Sequence, residues 1–130
     1  MPQIAVDYSE RLADRFDRRG FGVAVNRLAV ELIGATPNSC KLRFRRVEEP
    51  VVGADPDTYA LVFVEFQIFP GRTPEAKVAL SEAVLAALPG YLAEEPGAAP
   101  VQAAVNIMDI DRDCYRGTTL DAPAARSGVR

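Results

Sequence analysis

Proline follows the first methionine of this chain, at position 2. Methionine is normally trimmed when the next side chain is small, and its removal would leave Pro2 with a free secondary amine. An α-amino group has a pKa of about 7.7–8.0 in short peptides, and burial or a nearby cation lowers that pKa because both disfavour the charged form. Such an amine is neutral near pH 7 and can act as a general base. Pro2 is therefore a candidate catalytic residue, although proline is also simply a common second residue.

The absence of histidine narrows the remaining chemistry. It excludes catalysis by Ser-His or Cys-His pairs and zinc sites that are built on imidazole. Acid–base chemistry near neutral pH must then use a shifted carboxylate, lysine, tyrosine or thiol, or the amino terminus. This strengthens the case for Pro2 without proving it.

Cationic side chains are the second group that could do chemistry. Lys41, Arg43 and Arg45 alternate along a predicted strand and therefore share one of its faces. They fit an anion site, although charge on an exposed edge strand also prevents pairing with other chains. Arg72 follows Pro70-Gly71 between a predicted strand and a predicted helix. Connections of that kind often hold ligand-binding groups, but an exposed loop arginine is an equally good interpretation.

Composition indicates a globular protein. The chain has 130 residues, of which 48% are hydrophobic and 25% charged, as expected for one domain. Its net charge of −3 argues against nucleic acid as a partner. No apolar run approaches the roughly 18 residues that span a membrane. The first residues lack the order of a secretory signal, which favours a cytoplasmic location with Cys40 and Cys114 as free thiols.

Hydrophobic periodicity predicts six elements that would position these side chains. In chain order they are strands over 3–8, 41–49, 58–69 and 101–109, with helices over 21–33 and from 73 to the 89–90 break. Gly34 is predicted to end the first helix, and Thr73-Pro74 to begin the second. The order strand, helix, strand occurs twice, which indicates an internal duplication.

Each half of this duplication should form two parallel strands with a right-handed crossover. The predicted fold class is α/β (α+β), with a four-stranded mixed sheet and two helices on one face. We expect the other face to carry large apolar side chains and to drive self-association. Residues 1–118 would form a single domain, and residues 119–130, which lack periodicity, a mobile tail.

Several of these features together resemble the tautomerase superfamily. They are Met1-Pro2 opening a strand, the duplicated β-α-β unit and the turn Phe69-Pro70-Gly71-Arg72. Within it the chain most resembles the 5-carboxymethyl-2-hydroxymuconate Δ-isomerase group, through its length, the Asp57–Val62 segment leading to Gly71-Arg72, and the Val105–Asp111 segment. The resemblance spans about residues 2–118.

The resemblance implies homotrimers with active sites near the subunit contacts, and no metal or organic cofactor. It implies that the amino-terminal proline moves a proton between carbon atoms, or between oxygen and carbon, while arginines hold the carboxylates and the 2-oxo group. By position, Pro2 would be the base and acid, Arg72 one arginine and Arg43 the other. Lys41, Arg45 and Arg46 are alternatives for the role of Arg43.

The function that follows is a cofactor-independent isomerase of small unsaturated 2-hydroxy or 2-oxo carboxylic acids in aromatic catabolism, with neither nucleic acid nor membrane as partner. One alternative is a dehalogenase or decarboxylase of the same superfamily, which would need a water-activating group. The available side chains of the right type are Glu65, Tyr59, Tyr115 and Asp109. A second alternative is a non-catalytic oligomeric binding module. If Met1 is retained, the Pro2 nitrogen is an amide and cannot act as a base.

Overall fold

The computed structural model describes residues 1–123 and contains every predicted element, with small shifts at the element ends. The strands and helices are β1 (Gln3–Ser9), α1 (Arg18–Ile33), β2 (Lys41–Val47), β3 (Ala60–Ile68), α2 (Pro74–Ala87) and β4 (Val101–Asp109). Short 3-10 turns cover Glu10–Leu12, Leu88–Tyr91 and Arg112–Cys114. The tail predicted for residues 119–130 lies largely outside the described residues.

One four-stranded sheet carries the fold, in the order β2-β1-β3-β4. Strands β1 and β2 are parallel, β3 and β4 are parallel, and the two halves meet through antiparallel β1 and β3. The predicted fold class, with its duplicated β-α-β units and mixed sheet, is therefore confirmed. In this register Gln3 lies opposite Lys41 on one side and Gln67 on the other.

Alternate residues of the two central strands form the core beneath the helices. The buried side chains on the sheet include Ile4, Val6, Val62, Val64 and Phe66, and those on the helices include Phe21, Val25, Leu80 and Val84. Full burial of such a side chain stabilises the fold by about 1.5–3 kcal/mol. Because β1 is paired on both sides and buried on one face, the start of the chain is held firmly in the fold.

Both helices have the ends that the sequence predicts. Helix α1 ends at Gly34, whose φ of 65° lies in the left-handed region that glycine adopts easily. Helix α2 begins after Thr73, whose side-chain oxygen accepts a hydrogen bond from the Ala76 amide, with Pro74 in the first turn. These caps determine where the chain turns back toward the sheet.

The sheet face opposite the helices differs from the prediction. Its alternating positions carry mainly polar and charged side chains, which include Gln3, Asp7, Lys41, Arg43, Arg45, Glu65 and Gln67. Phe63 and Met108 are the exposed large apolar side chains on the described strands. The expectation of a face of large apolar side chains is therefore wrong, because the cations of β2 and the polar residues of β1 and β3 occupy it. Along residues 1–123, no helix is long and apolar enough to cross a membrane.

Candidate functional site

A cavity of about 530 Å³ lies at the start of β1. Residues from three separate parts of the chain line it: Met1 and Gln3, Lys41, and Tyr115, Arg116, Gly117, Thr118 and Thr119. Strand pairing explains the first two groups, since Gln3 and Lys41 are register partners in β1 and β2. The segment after β4 returns across this end of the sheet and completes the wall.

The charged side chains of the cavity wall are the cations Lys41 and Arg116. The Met1 α-amino group donates a hydrogen bond to the Ser39 carbonyl at 3.4 Å, and Lys41 Nζ donates to the same carbonyl at 2.8 Å. The pKa of the Met1 α-amino group is lowered mainly by burial and, to a smaller extent, by the positive charge of Lys41. A cavity of this kind favours an anionic ligand and an uncharged amine.

Pro2 is buried and is not itself among the lining residues, but its neighbours on both sides, Met1 and Gln3, line the cavity. The Pro2 carbonyl accepts a hydrogen bond from the Lys41 amide at 3.1 Å, which continues the β1–β2 pairing to the second residue. With Met1 in place the Pro2 nitrogen is an amide. Removal of Met1 would take away one residue of the cavity wall and would leave a secondary amine at position 2, next to Gln3 of that wall.

Arg43 lies on edge strand β2, opposite Ala5. Its guanidinium donates a hydrogen bond to Gln3 Oε1, and Gln3 itself lines the cavity. Arg43 is not among the lining residues in the described part of the chain. Its connection to the cavity therefore passes through Gln3.

The three alternatives to Arg43 have different positions. Lys41 lines the cavity, as described above. Arg45 forms an ion pair with Asp7 at 2.6 Å, while Arg46 donates to the Tyr8 hydroxyl at 3.3 Å. Of the cations on β2, Lys41 is thus the one beside the chain's amino group.

Arg72 is partly buried at the end of β3, and its side chain binds backbone. Its Nε donates to the Ile33 carbonyl at 3.1 Å and its Nη1 to the Phe69 carbonyl at 3.4 Å. These bonds connect the end of α1 to the end of β3. Within residues 1–123 the Arg72 guanidinium does not form part of the cavity wall.

The candidate water-activating groups are also separated by the fold. Tyr59 precedes β3 at the far end of that strand, and Asp109 pairs with Lys77 of α2 at 3.2 Å. Glu65 is half-buried on the open sheet face. Tyr115 is the member of this set that lines the cavity.

Sequence reasoning missed Gln3, Arg116 and Gly117 as residues of the site. In the sequence, Gln3 shows only the alternation of a strand, and the 115–119 segment has no periodicity that marks it. The one local indication that Gln3 belongs to the site is that a polar residue directly follows Pro2. The approach of the 115–119 segment to the amino terminus depends on tertiary structure.

Comparisons with known proteins give a clear result for the fold. No established family model matches the sequence, and no curated protein matches it either. A solved 5-carboxymethyl-2-hydroxymuconate isomerase from Deinococcus radiodurans R1 superposes with a TM-score of 0.76 at 18% identity, over 92% of this chain and 90% of that chain. The chain has the tautomerase fold.

Two further structures share this tautomerase fold. A fused 4-OT protein described as a symmetric trimer has a TM-score of 0.71 at 21% identity, over 98% of this chain and 99% of that one. A member of the cis-3-chloroacrylic acid dehalogenase family has a TM-score of 0.65 at 19% identity, over 94% and 85%. The tautomerase fold is therefore shared by proteins named for isomerisation and for dehalogenation, and the reaction must be argued from the site.

Proposed function

We propose that this protein is a cofactor-independent isomerase that moves a proton within a small unsaturated 2-hydroxy or 2-oxo carboxylic acid. Pro2 is the general base once Met1 has been removed. The observation that carries the proposal is the placement of the α-amino group in a cavity whose charged side chains are cations, where burial and Lys41 lower its pKa. The isomerase with the same fold supports this choice of reaction.

The chemistry requires only a proton transfer in two steps. The neutral amine removes a proton from the hydroxyl or from carbon next to the carbonyl, which leaves a dienolate, and the resulting ammonium returns that proton at another carbon. The negative charge that develops is stabilised by fixed cationic donors and hydrogen-bond donors. Lys41 supplies such a charge directly at the cavity wall.

Arg43 and Arg72 remain the proposed arginines of the site. Both lie toward the end of the sheet where Pro2 lies, since Arg43 follows Lys41 on β2 and Arg72 donates to the residue after β3. A guanidinium can hold a carboxylate through two parallel hydrogen bonds. For Arg72 to do so, the substrate must replace the carbonyls of Ile33 and Phe69 as acceptors.

A homotrimer in the cytoplasm is part of the same proposal. The fused 4-OT structure with this fold is described as a symmetric trimer. The two cysteines, Cys40 and Cys114, are free thiols, as is usual in a reducing compartment. Acids of the 2-hydroxymuconate type would place the enzyme in aromatic catabolism.

The test compares protein with and without Met1, with the state of each sample established by intact mass. The Met1-free protein should ketonise 2-hydroxymuconate or phenylenolpyruvate dienols. Pro2→Ala should lose much of the about 10²–10⁴-fold in kcat/KM that a general base contributes, because it replaces the ring-held secondary amine by a freely rotating primary amine. Pro56→Ala, at an exposed loop proline, is the matched control and should leave kcat/KM unchanged. Equal activity in protein that retains Met1 would refute the role of the amine.

A second candidate function is favoured by the position of Tyr115. A tyrosine beside the amino terminus could activate water, which is the additional step of a dehalogenase. Halide release from a 3-haloacrylate, or decarboxylation of malonate semialdehyde, without dienol ketonisation would support this alternative. A non-catalytic binding module would show neither reaction, and its ligand binding would be indifferent to Pro2→Ala.

A further inference from the structure

A chain of three hydrogen-bonded side chains leads from β2 to the cavity wall. Arg43 Nη2 donates to Gln3 Oε1, and Gln3 Nε2 donates to the Tyr115 hydroxyl oxygen at 3.2 Å. The three residues come from β2, from β1 and from the segment after β4. Gln3 and Tyr115 both line the cavity, so the chain ends at the space where a ligand would bind.

The direction of these hydrogen bonds follows from the chemistry of the groups. A guanidinium has only donors, so Arg43 must face the amide oxygen of Gln3. The amide nitrogen of Gln3 is then directed at Tyr115, whose oxygen accepts. Within the described residues the Tyr115 hydroxyl donates to no protein group, so its proton remains available to an acceptor in the cavity.

Packing holds the Tyr115 ring in place. The Tyr115 ring meets the Phe69 ring edge-on, with centroids 5.3 Å apart. The guanidinium carbon of Arg112 lies 4.1 Å from the centroid of the Phe69 ring. Gly117 provides space on another side, because a Cβ atom at position 117 would lie 3.2 Å from the Tyr115 hydroxyl oxygen. The hydroxyl is thus both oriented by Gln3 and confined by its neighbours.

We propose that Tyr115 donates a hydrogen bond to the oxo or enolate oxygen of the bound acid, and that Gln3 and Arg43 are positioning residues that orient this donor. This rests on the proposed function, because it assigns a substrate contact within the same cavity. No bond is made or broken by Tyr115; it stabilises the oxygen on which negative charge develops. Arg43 orients Gln3 through Nη2, which leaves the other donors of its guanidinium for the carboxylate of the substrate.

Two variants test the orientation directly. Tyr115→Phe removes only the hydroxyl and keeps the ring against Phe69. Gln3→Glu keeps the contact with Arg43 but replaces the amide donor by an oxygen, so the Tyr115 proton turns toward residue 3 and away from the cavity. Each should weaken binding of a stable 2-oxo acid, 2-oxoadipate, by about three- to tenfold, since one hydrogen bond to its uncharged oxo oxygen is lost.

Matched controls separate orientation from other effects. Gln67→Glu adds the same charge at the register partner of residue 3, a position that forms no hydrogen bond to Tyr115, and measures the cost of that charge. Tyr91→Phe removes a hydroxyl from a ring that packs on Phe21, and should leave binding unchanged. Thermal unfolding of each variant establishes that it is folded.

Calorimetric titration with 2-oxoadipate is performed on the Met1-free protein, since this saturated acid has no carbon–carbon double bond for the proposed isomerisation to move. Support requires that Gln3→Glu weaken binding more than Gln67→Glu does. It also requires that adding Gln3→Glu to Tyr115→Phe weaken binding no further than Gln67→Glu does in the wild type, because the orientation of the hydroxyl is then already lost. Unchanged binding in Tyr115→Phe, full additivity, or failure of the parent to bind 2-oxoadipate overturns the inference. Absence of turnover in Met1-free wild type, with Tyr115-dependent binding intact, overturns the proposed reaction instead.

Discussion

The amino-terminal nitrogen is the residue-scale feature on which the proposed chemistry depends. Burial and the charge of Lys41 both lower the pKa of the α-amino group of Met1 at this position. Pro2 is the next residue inward, and its carbonyl is already bonded to the Lys41 amide. The same two causes should therefore act on the Pro2 amine after Met1 has been removed.

The pH dependence of catalysis tests this electrostatic effect. In Met1-free protein, kcat/KM should rise with pH as the amine loses its proton, with a midpoint below the pKa of about 7.7–8.0 of an ordinary α-amino group. Lys41→Met removes a charge that disfavours the protonated amine, so it should move this midpoint to higher pH. The measurement is the pH profile of kcat/KM for wild type and variant.

Lys41→Arg is the control for this experiment, since it keeps the positive charge and should leave the midpoint nearly unchanged. A midpoint that stays in place or moves to lower pH in Lys41→Met would contradict the assigned electrostatic role. A change in KM alone would show that Lys41 binds substrate without influencing the amine.

At the scale of elements, the end of α1 determines how the chain returns to the sheet. Gly34 adopts a φ of 65° after Ile33, whose carbonyl accepts from Arg72. The turn leads to Ser39 and Lys41, which surround the amino group. A change at this helix end therefore bears on stability and on the geometry of the site.

Gly34→Ala should lower the free energy of unfolding by about 1 kcal/mol, because an L-residue resists the left-handed conformation. An added Cβ would meet nothing within 4 Å, so the effect is conformational rather than steric. Gly90→Ala is the matched control: its Cβ would also meet nothing within 4 Å, and its φ is not positive. Chemical denaturation measures both variants, and an equal cost at the two positions would contradict the conformational explanation.

At the scale of the whole molecule, the open sheet face is the contact surface that we propose for a trimer. This face is largely polar, with Phe63 and Met108 exposed within it. Its cations already have partners within the chain, such as Asp7 for Arg45. Association would therefore depend on a small apolar area surrounded by paired polar groups.

Light scattering should give a mass of three times the 14.1 kDa chain for the wild type. Phe63→Asp should shift the population toward single chains, because it places a charge on the proposed contact surface. Val23→Asp is the control, since Val23 is exposed on α1 on the helical side of the sheet, and it should leave the mass unchanged. A wild-type protein that remains monomeric at micromolar concentration would refute the trimer.

Local patterns determined the elements and their order. Alternation identified β1 and β3, Gly34 and Thr73 marked helix ends, and the repeated order led to the mixed sheet, because period and capping are properties of neighbouring residues. The polar residues of the open face are visible in each strand of the sequence. The prediction that the assembled face is apolar is nevertheless wrong, because it gives too little weight to the polar positions that the four strands bring together.

The composition of the cavity was decided by tertiary structure alone. Gln3 and Lys41 are brought together by strand register, and the segment containing Tyr115 joins them from more than a hundred residues away. Arg72 was predicted from its loop, yet its side chain found backbone acceptors at Ile33 and Phe69. Sequence spacing limits which residues share an element, whereas the contacts between elements depend on how all of them pack at once.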